Sequence, residues 1–208
     1  MRPPVARSRP NLSQERRLKR ETGIWPMGID EVGRGPWAGP VVTAAVRLDP
    51  DRVPGGLDDS KRLSPERRAA LDAAIRAVAE VGIGQASVAE IDDLNIHRAT
   101  LLAMRRAADA LGGPTVTLVD GKFLPDGLSG RAIPGGDAIS ASVAAASIVA
   151  KVARDTIMRT LGQQHPAYNW GQNKGYGTQE HRAALLQHGP TQHHRKSFKP
   201  IHNMLCRD

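Results

Sequence analysis

Apolar positions in this chain recur at two spacings, and the switches between them mark out the elements. A short apolar run through Met27 and Ile29 ends at Asp30-Glu31 and is followed at once by Gly33-Arg34-Gly35, which predicts a strand closed by a glycine turn. Val41 to Val46, rich in valine and alanine, predicts a strand that pairs with it. After Asp58-Asp59-Ser60-Lys61, Ser64 can cap a helix and Pro65 suits its first position; Leu71, Ile75 and Val78 then fall on one face. Val81 to Ser87 predicts a third strand. Helical spacing returns at Leu101, Met104, Ala108 and Leu111, and Gly112-Gly113-Pro114 stops it.

The apolar run Val116 to Val119 predicts a buried strand that ends in Asp120-Gly121-Lys122. A Pro/Gly-rich loop leads to Asp137, just before the longest predicted helix, Ile139 to Leu161. Its stripe of Val143, Ala146, Ala150 and Ile157 is small in volume and allows close approach to a sheet. From His165 to Asp208 the chain is polar, His-rich and irregular, with one short helix expected near Gln179 to Gln187. Residues 1–22, rich in Arg, Pro and Lys, read as a flexible basic lead-in, which leaves 23–208 as one domain. Strands first, then strands alternating with helices, argue for an α/β fold with a mixed sheet covered by helices. Periodicity alone does not choose among such arrangements.

Size and charge narrow the picture. A chain of 208 residues suits one domain with a substantial core. A net charge of +8 and a pI near 10.2 point to a polyanionic partner, with nucleic acid and anionic membrane equally compatible. No run is long enough to span a membrane and the N-terminus lacks a signal peptide's apolar core, so a soluble cytoplasmic protein is expected. With Cys206 as the single cysteine there is no intrachain disulfide and no cysteine-based metal site. Any metal ligands must be carboxylates or histidines. An aromatic content of 3% argues against a base-stacking platform.

The candidate chemistry lies in acids at the ends of elements: Asp30, Glu31, Asp120 and Asp137. Adjacent residues of a regular strand point to opposite faces, so Asp30 and Glu31 can share a site only where the strand ends or is distorted. Gly33 and Gly35 supply such an end and bare backbone N–H groups, and Arg34 offers a fork of donors. Each acid also has a plainer role: Asp-Gly at 120 is a common turn pair, and Asp137 can simply cap its helix. Asp155 lies four residues after Lys151, which predicts a helix-surface ion pair. His165, His193 and His194 lack ligand spacing and are assigned to the surface or to the neighbourhood of phosphate.

Taken whole, the block from Met27 to Val46 resembles the signature of the type 2 ribonucleases H, the ribonuclease HII family. That family typically has Ala and Leu where this chain has Val32 and Trp37. The similarity extends in order through Lys61 in Asp-Ser-Lys, the Val-Asp-Gly triplet, the Gly-Asp at 136–137 and the Ala-Ala-Ala-Ser-Ile-Val-Ala-Lys block with Ser142, Ser147 and Lys151. It continues through Lys174-Gly175-Tyr176-Gly177-Thr178 with His181, and ends at His194-Arg195-Lys196-Ser197-Phe198. A related branch, ribonuclease HIII, typically has Lys in place of Arg34 and an extra N-terminal domain.

The resemblance implies a ribonuclease H-like fold, a five-stranded mixed sheet with a helical C-terminal extension. It implies that Asp30, Glu31, Asp120 and Asp137 bind two divalent ions, Mn2+ or Mg2+, and are catalytic. Gly33, Arg34, Gly35, Lys61 and Tyr176 would bind substrate, with Tyr176 checking the sugar next to the cut. The implied activity is endonucleolytic cleavage of the RNA strand of RNA–DNA hybrids and on the 5′ side of single ribonucleotides in duplex DNA, leaving a 3′-hydroxyl and a 5′-phosphate. This would serve primer removal in DNA replication and ribonucleotide excision repair, by a monomer with no membrane partner. The alternative from another class is a non-catalytic basic nucleic-acid-binding protein of the same fold. The presence of all four acids argues against it, since a pure binder gains nothing from clustered negative charge beside phosphate.

Overall fold

The structure, a computed structural model, describes residues 9–113 and 116–206. Its centre is a five-stranded mixed sheet of β1 (Met27–Val32), β2 (Val41–Leu48), β3 (Ala79–Ala86), β4 (Val116–Asp120) and β5 (Ser129–Ile133), in the order β3-β2-β1-β4-β5. The first three strands form an antiparallel meander, whereas β4 runs parallel to β1 and β5 parallel to β4. Ile29 pairs with Val119 across β1 and β4. The next residue along each strand is therefore a carboxylate, Asp30 beside Asp120.

Helices α1 (Ser13–Thr22), α2 (Pro65–Val78), α3 (Val88–Leu111) and α4 (Ala141–Gln164) cover the sheet. Alternation on the strands divides the core in two. Ala44, Val46 and Leu48 of β2 pack with Ala145, Ala146 and Ile148 of α4 and with Leu71 and Ile75 of α2. Met27 and Ile29 of β1 pack with Met104, Ala107 and Ala108 of α3 on the other face. The small α4 stripe does what its volume predicts: a Cβ added to Gly28 would lie 2.2 Å from the Ser142 carbonyl carbon, so β1 and α4 meet backbone to backbone. Side-chain oxygens of Ser64, Ser87, Ser140 and Thr178 cap the first turns of α2, α3, α4 and the later α6 (Gln179–His188).

Three segments differ from the sequence reading. Where a flexible lead-in is expected over 1–22, residues Ser13–Thr22 form α1; residues 1–8 lie outside the described part. Its polar composition hides two anchors. Leu18 is buried against Val116, Leu118 and Val143, and Glu15 is fully buried, its Oε1 accepting from the Ser140 hydroxyl (2.6 Å), the Ser142 hydroxyl (2.7 Å) and the Ser142 N–H (2.8 Å). The predicted Pro/Gly loop contains β5, an edge strand whose Ser-Gly-Arg sequence gives no alternation; Gly130 is needed there because a Cβ would sit 2.0 Å from the Thr117 carbonyl oxygen. The C-terminal region holds α5 (Trp170–Asn173), α6 and α7 (Lys199–Leu205) instead of one short helix. Among the described residues no helix is long and apolar enough to cross a membrane.

Ala38, Met158, Trp170, Leu185 and Ile201 form the core under this extension, and a histidine pair is sealed beside it. His194, expected near the surface, is fully buried, as is His181. Their protons follow from the partners. The Tyr176 carbonyl can only accept, so His181 Nδ1 donates to it (2.9 Å). His181 Nε2 then accepts from Trp170 Nε1 (3.1 Å) and from His194 Nε2 (3.0 Å), while His194 Nδ1 accepts from the Thr191 N–H (2.9 Å). Both rings must stay neutral for the chain of bonds to close.

Burial, reinforced by the neighbouring His181 ring, with which a second positive charge would clash, pushes His194 down to about 3, and burial lowers His181 although its bond to Tyr176 works the other way. Below the ordinary histidine value of 6.5 the unfolded chain takes up protons that the folded chain refuses, so stability falls as pH drops from 6.5 toward 3. The expected slope for His194 is at most about 1.4 kcal/mol per pH unit. Melting temperature should fall more steeply between pH 6.5 and 5 in the parent than in His194→Gln. Parallel curves for the two proteins would remove His194 as the cause.

Candidate active site

The parallel pairing of β1 with β4 brings acids from distant parts of the chain together. Asp30 is 6% exposed, and its Oδ1 accepts the Glu31 N–H at 2.7 Å. Asp120 closes β4, and its Oδ1 accepts the Gly136 N–H at 2.7 Å. Ligand oxygens of Asp30, Glu31 and Asp120 all lie within 4.8 Å of one another. Asp137 follows the glycine that Asp120 holds, in a short 3-10 turn at Gly136–Ala138, and stands beside this trio rather than within it. It does not cap α4 either, since Ser140 does so.

The convergence carries an electrostatic cost. Burial, followed by the charges of Glu31 and Asp120, raises Asp30 well above the ordinary carboxylate value. Burial also raises Glu31, with Arg34 opposing from 3.4 Å, and burial together with Asp59 and Asp120 raises Asp137. Lys61 responds in the opposite sense. Partial burial works against its charged form, but Asp59, Asp137, Asp30 and Asp120 outweigh it and raise its pKa. Three hard oxygen donors converging at a strand end form a donor set suited to a divalent cation such as Mg2+ or Mn2+.

Beside the acids is a cavity of about 300 Å³ lined by Glu31, Gly33, Arg34, Gly35, Lys61 and Tyr176, among others. Tyr176 is half exposed there, and a Cβ on Gly35 would come within 3.5 Å of its ring. Two fully buried arginines set the shape of this wall. Arg195 donates to the carbonyls of Gly33 (2.6 Å), Arg34 (2.9 Å) and Gly39 (2.8 and 2.9 Å). Arg154 donates to Ala38 (3.1 Å), Pro40 (3.0 Å) and Lys174 (3.0 Å), tying the glycine loop to the loop that carries Tyr176. Burial lowers Arg195 to about 9 and Arg154 to about 10, and both stay cationic at neutral pH. Gly33, at φ +99, lies so close over Arg154 that a Cβ would fall 2.1 Å from its Nε. Trp37 joins the same two loops, its N–H donating to the Gly175 carbonyl at 2.8 Å.

The sequence-predicted residues thus separate. Asp30, Glu31 and Asp120 converge, Asp137 is adjacent, and Gly33, Arg34, Gly35, Lys61 and Tyr176 line one cavity. Ser142 and Ser147 are buried in packing, bonded to Glu15 and to the Ser60 N–H, not open to phosphate. Lys151 does pair with Asp155, at 2.7 Å. Sequence reasoning missed Arg154 and Arg195 as determinants of the loop. Arg154 stands beside Asp155 and Arg195 beside Lys196, charged pairs that read as solvated surface, and only the family-like blocks around them drew attention to those stretches.

A five-stranded mixed sheet flanked by helices, with carboxylates gathered at the ends of β1 and β4, defines a protein of ribonuclease H-like fold with a candidate metal site. Residues 27–201 match the ribonuclease HII family. Ribonuclease HII of Cereibacter sphaeroides (strain KD131 / KCTC 12085) is 59% identical over 185 residues, covering 88% of this chain and 87% of that protein. That of Jannaschia sp. (strain CCS1) is 56% identical over 192 residues, covering 91% and 96%. Among solved structures, the enzyme in a PCNA:RNase HII complex from Archaeoglobus fulgidus is 25% identical, with a TM-score of 0.66 over 84% of this chain and 95% of that one. The chain belongs to the ribonuclease HII family and is accordingly an endonuclease of the ribonuclease H type, an activity for which divalent metal is required. The non-catalytic alternative is set aside.

Proposed function

We infer that the protein cleaves the RNA strand of RNA–DNA hybrids and, in duplex DNA, the 5′ side of single ribonucleotides, leaving a 3′-hydroxyl and a 5′-phosphate. The observation that carries this reading is the convergence of Asp30, Glu31 and Asp120 beside a bare glycine loop faced by Tyr176. The trio and Asp137 would hold two divalent cations, Mn2+ or Mg2+. Bound there, the ions supply an activated water and neutralise charge on the leaving oxygen.

Substrate choice rests on the chain's own groups. A single ribonucleotide differs from its neighbours by one 2′-hydroxyl. The backbone of Gly33-Arg34-Gly35, held rigidly by Arg195, can hydrogen-bond that hydroxyl, and Tyr176 can rest its ring and phenol on the adjoining sugar. Lys61 approaches the phosphate. Ribonucleotide removal from DNA and primer removal are the processes such products would serve, in the cytoplasm and by a monomer. Product mapping on a duplex with one ribonucleotide, with and without chelator, tests the reading: a nick at any position other than 5′ of the ribonucleotide, or one insensitive to chelator, sinks it.

Tyr176 offers a sharper test. Tyr176→Phe keeps the ring and should retain more activity on the single-ribonucleotide duplex than Tyr176→Ala. Tyr176→Ala should lose roughly 10- to 100-fold there, the scale of one or two lost sugar contacts, and less on a long hybrid, where many cleavage registers are available. Equal proportional losses on the two substrates would assign Tyr176 to structural support alone.

A further inference from the structure

A second, strongly basic groove runs beside the acidic site. It has a volume of about 450 Å³ and lies between the start of α2, the middle of α4 and the end of α5. Arg68, Lys151, Arg159 and Lys174 line it, and Asp155 is the one acid among its lining residues. Asp155 is already engaged by Lys151 at 2.7 Å. Lys151, Asp155 and Arg159 are spaced by four on α4, so they form one row about 12 Å long. Lys151 lines the 300 Å³ site cavity as well, so groove and site adjoin at a single side chain.

Among the described residues that line the groove, four cations stand against the single acid Asp155. Arg68 donates to the carbonyls of Ser60 (2.9 Å) and Leu63 (2.6 Å), and the Lys174 ammonium turns to the Gly171 carbonyl. Carbonyls satisfy hydrogen bonds but leave the net charge in place. Arg159 is exposed, and its guanidinium has a hydroxyl partner, Thr156 at 3.3 Å. Burial lowers Lys174, and the cations Lys151, Arg159 and Arg154 push it further down against Asp155. None of the lining residues is aromatic, so the groove has nothing with which to stack a base. Recognition here is by charge alone.

We propose that the groove is a second backbone subsite, which takes phosphates of the same duplex on one flank of the cleavage point, with Arg159 as its outermost contact. The proposal rests on the endonuclease reading of the neighbouring site. A strand leaving that site past Lys151 follows the α4 row, and the 12 Å between Lys151 and Arg159 spans more than one phosphate at about 3.4 Å of rise per nucleotide. Contacts of this kind fix the register of the duplex and carry no sequence information.

The test uses the full chain with Arg159→Gln, Arg159→Glu and, as a charge-matched control, Arg52→Glu. Arg52 is exposed in the loop after β2, at the end of the strands away from Glu31. On a duplex with one central ribonucleotide, Arg159→Gln should raise KM several-fold at unchanged kcat and reduce the magnitude of the salt slope of binding by about 0.9. Arg159→Glu should go further and Arg52→Glu should leave both values as in the parent. Partial unfolding would lower kcat, so a change confined to KM is not a folding defect. Trimming the duplex on one flank should abolish the difference between parent and Arg159→Glu, and trimming the other flank should preserve it. An unchanged salt slope in Arg159→Gln, an equal effect of Arg52→Glu, or a difference that survives both trimmings overturns the subsite. A parent protein that binds but does not cleave refutes the activity reading instead, and the binding slopes still decide on the groove.

Discussion

The Asp30→Asn and Asp120→Asn proteins are expected to lose turnover by about three orders of magnitude or more, the upper range for removing one preorganised electrostatic group, while binding duplex as well as the parent or better. Asparagine keeps the local acceptor in both places: an amide oxygen can still take the Glu31 N–H at position 30 and the Gly136 N–H at position 120. What is lost is negative charge, and with it affinity for divalent metal. Binding improves because phosphate no longer faces a full set of carboxylates. A second readout follows from the raised pKa of Asp30, whose charged form is disfavoured in the fold by burial and by Glu31 and Asp120. Without metal, Asp30→Asn should melt higher than the parent. The melting temperature of the parent should climb with added Mn2+ and that of the variant should not, since only a state that binds metal is stabilised by it. Wild-type rates in Asp120→Asn at saturating Mn2+ would take that residue out of the mechanism.

The acids were legible because each stands where an element ends, and periodicity marks such ends well. The run to Ile29 and the run to Val119 both break at a carboxylate, and the fold needs only one parallel pairing to bring them together. The cap at Ser64 and the stop at Gly112 follow from turn chemistry and appear where expected. Asp137 was harder to place, since proximity in sequence to α4 does not say that a 3-10 turn and a separate serine cap intervene. Arg154, Arg195 and Glu15 were illegible for a common reason. Each is a charged residue held inside by several hydrogen bonds to backbone or hydroxyl groups, and nothing in the local sequence marks a charge that folds inward. The Lys174–Tyr176 loop was visible as a motif, but its support by Trp37, Arg154 and His181 is purely tertiary.

Glu15→Ala should destabilise the protein by about 3 kcal/mol, which for a chain of this size lowers the melting temperature by roughly 6 to 12 °C. The carboxylate accepts three hydrogen bonds at the start of α4, two from serine hydroxyls and one from the Ser142 N–H, all fully buried. Removing it strands these donors and takes a negative charge from a helix N-terminus, where it is favoured. The consequence reaches the site, because the turn carrying Asp137 leads directly into Ser140, and the backbone of Gly28 is packed on Ser142. The cost of Glu15→Gln should be intermediate, since the amide keeps an acceptor at Oε1 and places a donor at the second oxygen, which is buried without a partner. Deleting residues 1–20 should therefore be severe: the truncation removes Glu15 and Leu18 together, and the loss should appear in melting temperature rather than in salt dependence. A truncated protein that melts within about 2 °C of the parent would return the segment to the role of a dispensable basic tail, and the weakened duplex binding that such a tail predicts would then be its only effect.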